Sequence, residues 1–211
     1  MDSEGVEWKL KYKRMIDLTY QELSKEHTFV WTVQGVPDTR MRTFQCGEKY
    51  KVQGIMYCRA THLFKMWQDV DFERRKTWDK LIAPDCETVV ESFLTKTKGD
   101  LFVVKHAHGY RLVWWREVPA SKTYIVIFQS CPYRLAPAAC ESTWIALCIL
   151  ALDDDPEYGH RCYIRLITHN EGVVNVLEQL NVCEKLCRDP VKWKELYSEE
   201  AMRKRDAERR L

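Results

Sequence analysis

Glycine and proline are scarce in this 211-residue sequence, at eight and seven residues, and no low-complexity stretch occurs. Collagen-like and disordered classes are thereby excluded. Neither sign of charge prevails: 33 Lys and Arg stand against 31 Asp and Glu, a formal net charge of +2. A nucleic-acid groove needs a positive excess to displace counterions from phosphates, so no nucleic-acid partner is expected. No apolar run approaches the roughly 18 residues that suggest a membrane-spanning helix. The longest, residues 144–152, is of strand length, and the first ten residues lack the apolar core of a secretory signal. The Gly-x-Ser-x-Gly elbow of many hydrolases is missing too, and no enzyme is expected.

The nine cysteines, at 46, 58, 86, 131, 140, 148, 162, 183 and 187, are odd in number and form no repeated C-x-x-C pair. Neither a disulfide framework nor a zinc ribbon fits that pattern. His106-x-His108 and His160-x-Cys162 read as polar loop residues rather than as metal ligands. A soluble, reduced, cytoplasmic chain without cofactor or metal is expected.

Aromatic side chains are abundant instead: eight Trp and ten Tyr, in a chain that is 45% hydrophobic and 30% charged. Such amphipathic rings suit a lined cavity or an interface, and a compact core absorbs them as well. Trp8, Tyr12, Ile16, Tyr20 and Leu23 fall at helical spacing, which predicts a helix over 6–25. Alternation then predicts strands over 29–33, 40–46 and 50–57, followed by one helix over 61–80. Six further strands are predicted over 87–95, 101–106, 110–118, 123–130, 143–152 and 161–169, separated by turn-forming residues. After Gly172 the period returns to 3.6, in a helix that Pro190 should kink or stop. Residues 191–211 are helical in propensity, and the charged end beyond 198 reads as a solvated helix or frayed tail. Without strand–helix–strand alternation the chain cannot be doubly wound. An α+β fold follows: a curved nine-stranded antiparallel sheet with a long C-terminal helix across its concave side. The expected divisions are an N-terminal helix (1–27), a core (28–189) and a charged helical tail (190–211).

Two motifs make the pattern specific. Tyr50-Lys-Val-Gln-Gly-Ile-Met56 followed by Arg75-Lys-Thr-Trp-Asp79 resembles the START domain family of lipid-transfer domains. Arg111, Ser130, Pro137 and Gly172 fall in the family's order, and the resemblance spans residues 28–187. It implies a helix-grip fold around a tunnel for one lipid, closed by the C-terminal helix, with no catalytic step. The chain departs from the family pattern at Leu112, in the short 107–109 loop, at Ser142-Thr143-Trp144, where the family's Arg is absent, and at Val173. What the resemblance implies for function is binding of one hydrophobic lipid, sterol-like or small-headed, and its transfer between membranes. The partners implied are that lipid, a transient membrane surface and other domains of a longer protein. The competing class is a lipid-sensing or interaction module that regulates attached domains.

Candidate lipid-binding residues follow from the same resemblance. The polar pair of cholesterol-binding relatives falls near His106 and Glu117, with Arg116 one residue away. Alternation puts Arg111, Val113, Trp115 and Glu117 on one face, taken as interior, and Arg116 on the other; solvated residues near a strand end are the plainer alternative for Arg116 and Glu117. The residues that hold the head group in phosphatidylcholine-binding relatives correspond to Arg75 and Asp79; an i,i+4 surface pair is the plainer alternative for these two. Lys105 and Val113 stand where that family carries cage aromatics, which disfavours a choline head. Val176 and Leu180 on the last helix complete the set. Trp78 reads as a core anchor, and Cys183 and Cys187 as packing residues of that helix. The outer face of the 123–128 and 143–152 strands is apolar as well and needs a cover: the first helix, a partner or another domain.

Overall fold

The computed structural model describes residues 3–25, 29–34, 40–80, 86–94, 100–106, 109–133, 144–169 and 173–201. In chain order these form α1 (Ser3–Ser24), β1 (Thr32–Gln34), β2 (Met41–Cys46), β3 (Lys49–Met56), α2 (Ala60–Trp67) and α3 (Phe72–Arg75). Then come β4 (Cys86–Leu94), β5 (Asp100–His106), β6 (Gly109–Val118), β7 (Thr123–Cys131), β8 (Trp144–Ala151), β9 (Cys162–His169), α4 (Val173–Arg188) and α5 (Pro190–Tyr197). The nine strands make one antiparallel sheet in the order β1-β2-β3-β9-β8-β7-β6-β5-β4. After β3 the chain crosses over through α2 and α3, restarts at the far edge with β4, and returns strand by strand until β9 pairs with β3. The sheet stays open, with β1 and β4 as its edges. Two register shifts in β4, at Cys86/Thr88 and Val89/Glu91, interrupt the ladder on that edge, where bulges bend a strand and increase its twist.

Both faces of the sheet carry apolar side chains, and helices cover each. On the concave face Val126, Phe128, Leu147, Ile149, Ile164 and Leu166 pack with Leu63, Phe64 and Trp67 of α2 and Val176 and Leu180 of α4. On the convex face Ile125, Ile127, Ala146 and Ile167 pack with Tyr12 and Ile16 of α1. The Tyr12 hydroxyl donates to the Pro132 carbonyl at 3.1 Å, and Thr19 Oγ1 donates to Gln129 Oε1 at 2.9 Å. The first helix is therefore the cover that this second apolar face needs.

Two local expectations are corrected. The single helix over 61–80 is two short ones, because carboxylates take over the backbone between them. Asp69 Oδ1 accepts the Asp71 N–H at 2.9 Å, and Asp71 Oδ1 caps α3 by accepting the Arg74 N–H at 3.2 Å. The first strand begins at Thr32 rather than residue 29. Beyond Pro190, where helical propensity is expected, the chain forms α5, capped by Asp189 and docked by a buried Tyr197.

Candidate functional site: a cleft between the short helices and the free sheet edge

Near the β4 edge the helices do not cover the concave face completely. A cleft of about 660 Å³ lies between α2–α3 and strands β4–β6. Its sheet wall is Val89, Phe102 and Trp115, which are half-buried, together with the exposed Thr88. Its helix wall is Lys65, Gln68 and residues 69–74, closed by Tyr197 of α5. The Trp115 ring meets Phe64 edge-on at 5.7 Å, and Phe64 continues to Tyr124 at 4.7 Å, so the apolar wall runs unbroken into the core.

The helix wall carries paired charges and one open acceptor, the buried Gln68 Oε1, which has no hydrogen-bond partner among the described residues. Arg74 donates to both oxygens of Asp69, at 2.7 and 2.6 Å, and its guanidinium lies 5.3 Å from the centre of the Tyr197 ring. The Tyr197 hydroxyl accepts from Trp78 Nε1 at 2.8 Å and donates to Asp69 Oδ2 at 3.2 Å. Burial first, and then the Asp69 carboxylate, pushes the Tyr197 phenol well above its ordinary range, so it stays a neutral donor.

Behind this wall sits Arg75, fully buried beside Asp79. The surface-pair alternative is thus excluded. Arg75 Nε donates to Asp79 Oδ2, while Nη1 donates to the Trp67 and Asp69 carbonyls at 2.8 and 3.0 Å. The rings of Phe128, Trp78 and Trp67 surround the guanidinium at 4.6, 5.1 and 5.7 Å. Nη2 is buried and has no hydrogen-bond partner among the described residues. Neither Arg75 nor Asp79 lines the cleft.

The sheet candidates separate. Val113 is buried in the concave core, Trp115 lines the cleft, and Glu117 is half-buried opposite Tyr124 on β7. Burial, with Glu117 adding its charge, raises the Tyr124 phenol above its ordinary value. Arg116 is exposed, opposite Ile125 of the convex face. His106 closes β5 and pairs with Cys86 and Gly109; its side chain, and all of His108, lie outside the described residues. Among the described residues no cluster of His, Cys, Asp and Glu is arranged to hold a metal ion.

Val176 and Leu180 are buried on the inner side of α4. That helix is held by polar anchors as well. The buried Gln179 accepts the Lys80 N–H at 2.9 Å and donates to the Trp78 carbonyl at 3.3 Å. Glu184 Oε1 accepts the Tyr57 N–H at 2.6 Å and pairs with Arg40 at 3.3 Å.

Sequence reasoning missed Asp69, Phe102, Val89 and Tyr197. The two aspartates spaced two apart before Phe72 are a helix-start signal that would have split the predicted helix and exposed Asp69 as a wall residue. Tyr197 carried no such signal, since only the tertiary fold brings it to Trp78, 119 residues away.

No protein-family model matches the sequence, and no curated protein matches it. Among solved structures, the crystal structure of human STARD10 superposes with a TM-score of 0.50 at 16% identity, over 90% of this chain and 87% of that one. The fold is START-like. Human StarD13 (DLC2), in its lipid transfer and protein localization domain, gives a TM-score of 0.47 at 11% identity, over 83% of this chain and 97% of that one. The START-like arrangement agrees with the nine-stranded antiparallel sheet and gripping helices that the sequence predicts. No helix among the described residues is long and apolar enough to cross a membrane.

Proposed function

We propose that this chain binds one hydrophobic lipid against the concave face of its sheet and carries it between membranes without chemical change. The observation that carries the reading is the cleft, where Trp115, Phe102 and Val89 present apolar surface that the chain's own helices leave uncovered. Its volume, about 660 Å³, falls within the range of small-molecule pockets, roughly 300–1,000 Å³. Each Å² of apolar ligand surface taken from water there contributes about 25 cal/mol.

The cleft favours a sterol-like or small-headed lipid. The charged Asp69 and Arg74 of its helix wall are paired with each other, and the buried Gln68 Oε1 is left to accept a hydrogen bond, so a compact hydroxyl head fits better than a large charged one. In this reading Trp115 contacts the apolar body in the cleft, backed by the buried Val113, Val176 and Leu180. Glu117, two residues further along β6, receives the head. His106 lies opposite Gly109 at the other end of β6, eight residues from Glu117, and does not share that head; the exposed Arg116 faces the convex side. Arg75 and Asp79 hold the floor behind α3. Because Gln179 and Glu184 tether α4, the lipid enters beside α3 rather than under the last helix.

Exchange of a fluorescent sterol between donor and acceptor vesicles tests the reading. Protein-dependent transfer is expected, reduced at least tenfold by Phe102→Arg, which puts a charge in the apolar wall. Tight sterol binding without any transfer would favour a lipid-sensing module of a larger protein. Absence of both binding and transfer would overturn the proposal.

A further inference from the structure

Away from the cleft, three thiols from three elements meet under the last turn of α4. Cys58 lies between β3 and α2, Cys162 opens β9 as the register partner of Met56, and Cys187 lies near the end of α4. All three are buried, at 3%, 0% and 8% exposure. The Sγ atoms of Cys58 and Cys162 approach to 4.0 Å, while the Cys187 thiol points to Met66 Sδ at 3.4 Å. Cys58 is the sulfur on which this group converges. The Cys162 thiol, then the Cys187 thiol, favours its ionised form, burial opposes it, and the positive charge of Arg188 adds to it. Cys183, one turn before Cys187, is set apart: burial and then Asp79 push its thiol up to about 12, and Gln179 Nε2 lies 3.7 Å from its sulfur.

We propose that Cys58 and Cys162 form a peroxide-sensitive dithiol, with Cys58 the attacking sulfur and Cys162 the resolving one. The Cys58 thiolate attacks one oxygen of hydrogen peroxide and the O–O bond breaks. This leaves a sulfenic acid and a hydroxide that takes up the first thiol proton as water. The Cys162 sulfur then loses its proton and attacks the Cys58 sulfur. The S–O bond breaks and a second water departs. Two thiols are oxidised and one peroxide is reduced to two waters. The two sulfurs are in contact but unbonded, since a disulfide has them about 2.05 Å apart, so side-chain rotation of both residues completes the bond. The product ties the β3–α2 corner to the start of β9 across 104 residues of chain. Closing so long a loop constrains the unfolded chain strongly.

The test uses the full chain, a brief treatment with hydrogen peroxide, and thiol counting after denaturation. Of the nine thiols, two are expected to disappear first, with the intact mass falling by two hydrogens. Peptide mapping should join the segment carrying Cys58 to that carrying Cys162, and thermal unfolding should shift upward until a reductant reverses it. In Cys162→Ser, dimedone should trap a sulfenic acid at Cys58. Retention of all nine thiols would overturn the proposal, as would a first disulfide between any other pair. Because the mapping is done on the unsubstituted chain, a folding defect in the serine variant does not affect its outcome.

Discussion

At the scale of single residues, the buried charge at Arg75 is the most constrained feature of the molecule. Removing it from water is expensive, and the cost is offset by Asp79, two backbone carbonyls and three aromatic faces. Losing one partner strands the other, so Arg75→Ala or Asp79→Ala is expected to cost about 3–5 kcal/mol. Urea unfolding midpoints check this; the exposed Glu73–Lys76 pair beside it should contribute well under about 1 kcal/mol. His62 supplies a pH signature. Its imidazole stacks on Trp193 at 3.9 Å, and burial holds its pKa below the ordinary value. The neighbouring Arg59 and Lys65 reinforce that, and a hydrogen bond to the Cys187 backbone opposes it. The unfolded chain therefore binds this proton more readily than the folded one. Stability is full above the unfolded value near 6.5 and falls as pH drops from there toward the lower folded value. A urea series from pH 7.5 to about 5 should show that decline, and His62→Gln should flatten it.

At the scale of elements, the sequence motifs acquire physical reasons. Gly54, inside the Tyr50–Met56 motif, sits where any Cβ would run into the Arg40 carbonyl and Met41 Sδ. Gly54→Ala should therefore push β2 from β3 and cost about 1–3 kcal/mol, readable as a lowered melting temperature. α1 is bound through one stripe only. Ile16→Ala should cost about 2–5 kcal/mol, whereas Leu18→Ala, on the exposed side, should stay within about 0.5 kcal/mol. The strands were legible because alternation and turn residues are local signals: the bounds of β5 to β9 differ from expectation by one residue at most positions. The α2–α3 break was hidden because Leu63, Phe64, Trp67 and Val70 keep helical spacing across it. Only the carboxylates of Asp69 and Asp71, which compete for backbone N–H groups, end the helix.

At the scale of the whole molecule, one open sheet is used twice: its convex face is roofed by α1, and its concave face is gripped by α2, α4 and α5. Both apolar faces could be read from β7 and β8, but the position of the opening could not. The cleft lies between β4, whose register shifts twice against β5, and the four-residue α3, and the meeting of these two depends on distant pairings. The candidate residues on β6 came from the family resemblance, and alternation assigned their faces. Tyr197 and Asp69 required the tertiary fold to meet.

The central claim is that the concave face holds one lipid. Native mass spectrometry of the chain purified from eukaryotic cells tests it most directly, with the released molecule identified afterwards. The account predicts one bound lipid per chain with a small polar head, lost in Phe102→Arg. A chain that emerges empty, and stays empty after incubation with sterol and phospholipid vesicles, would contradict it.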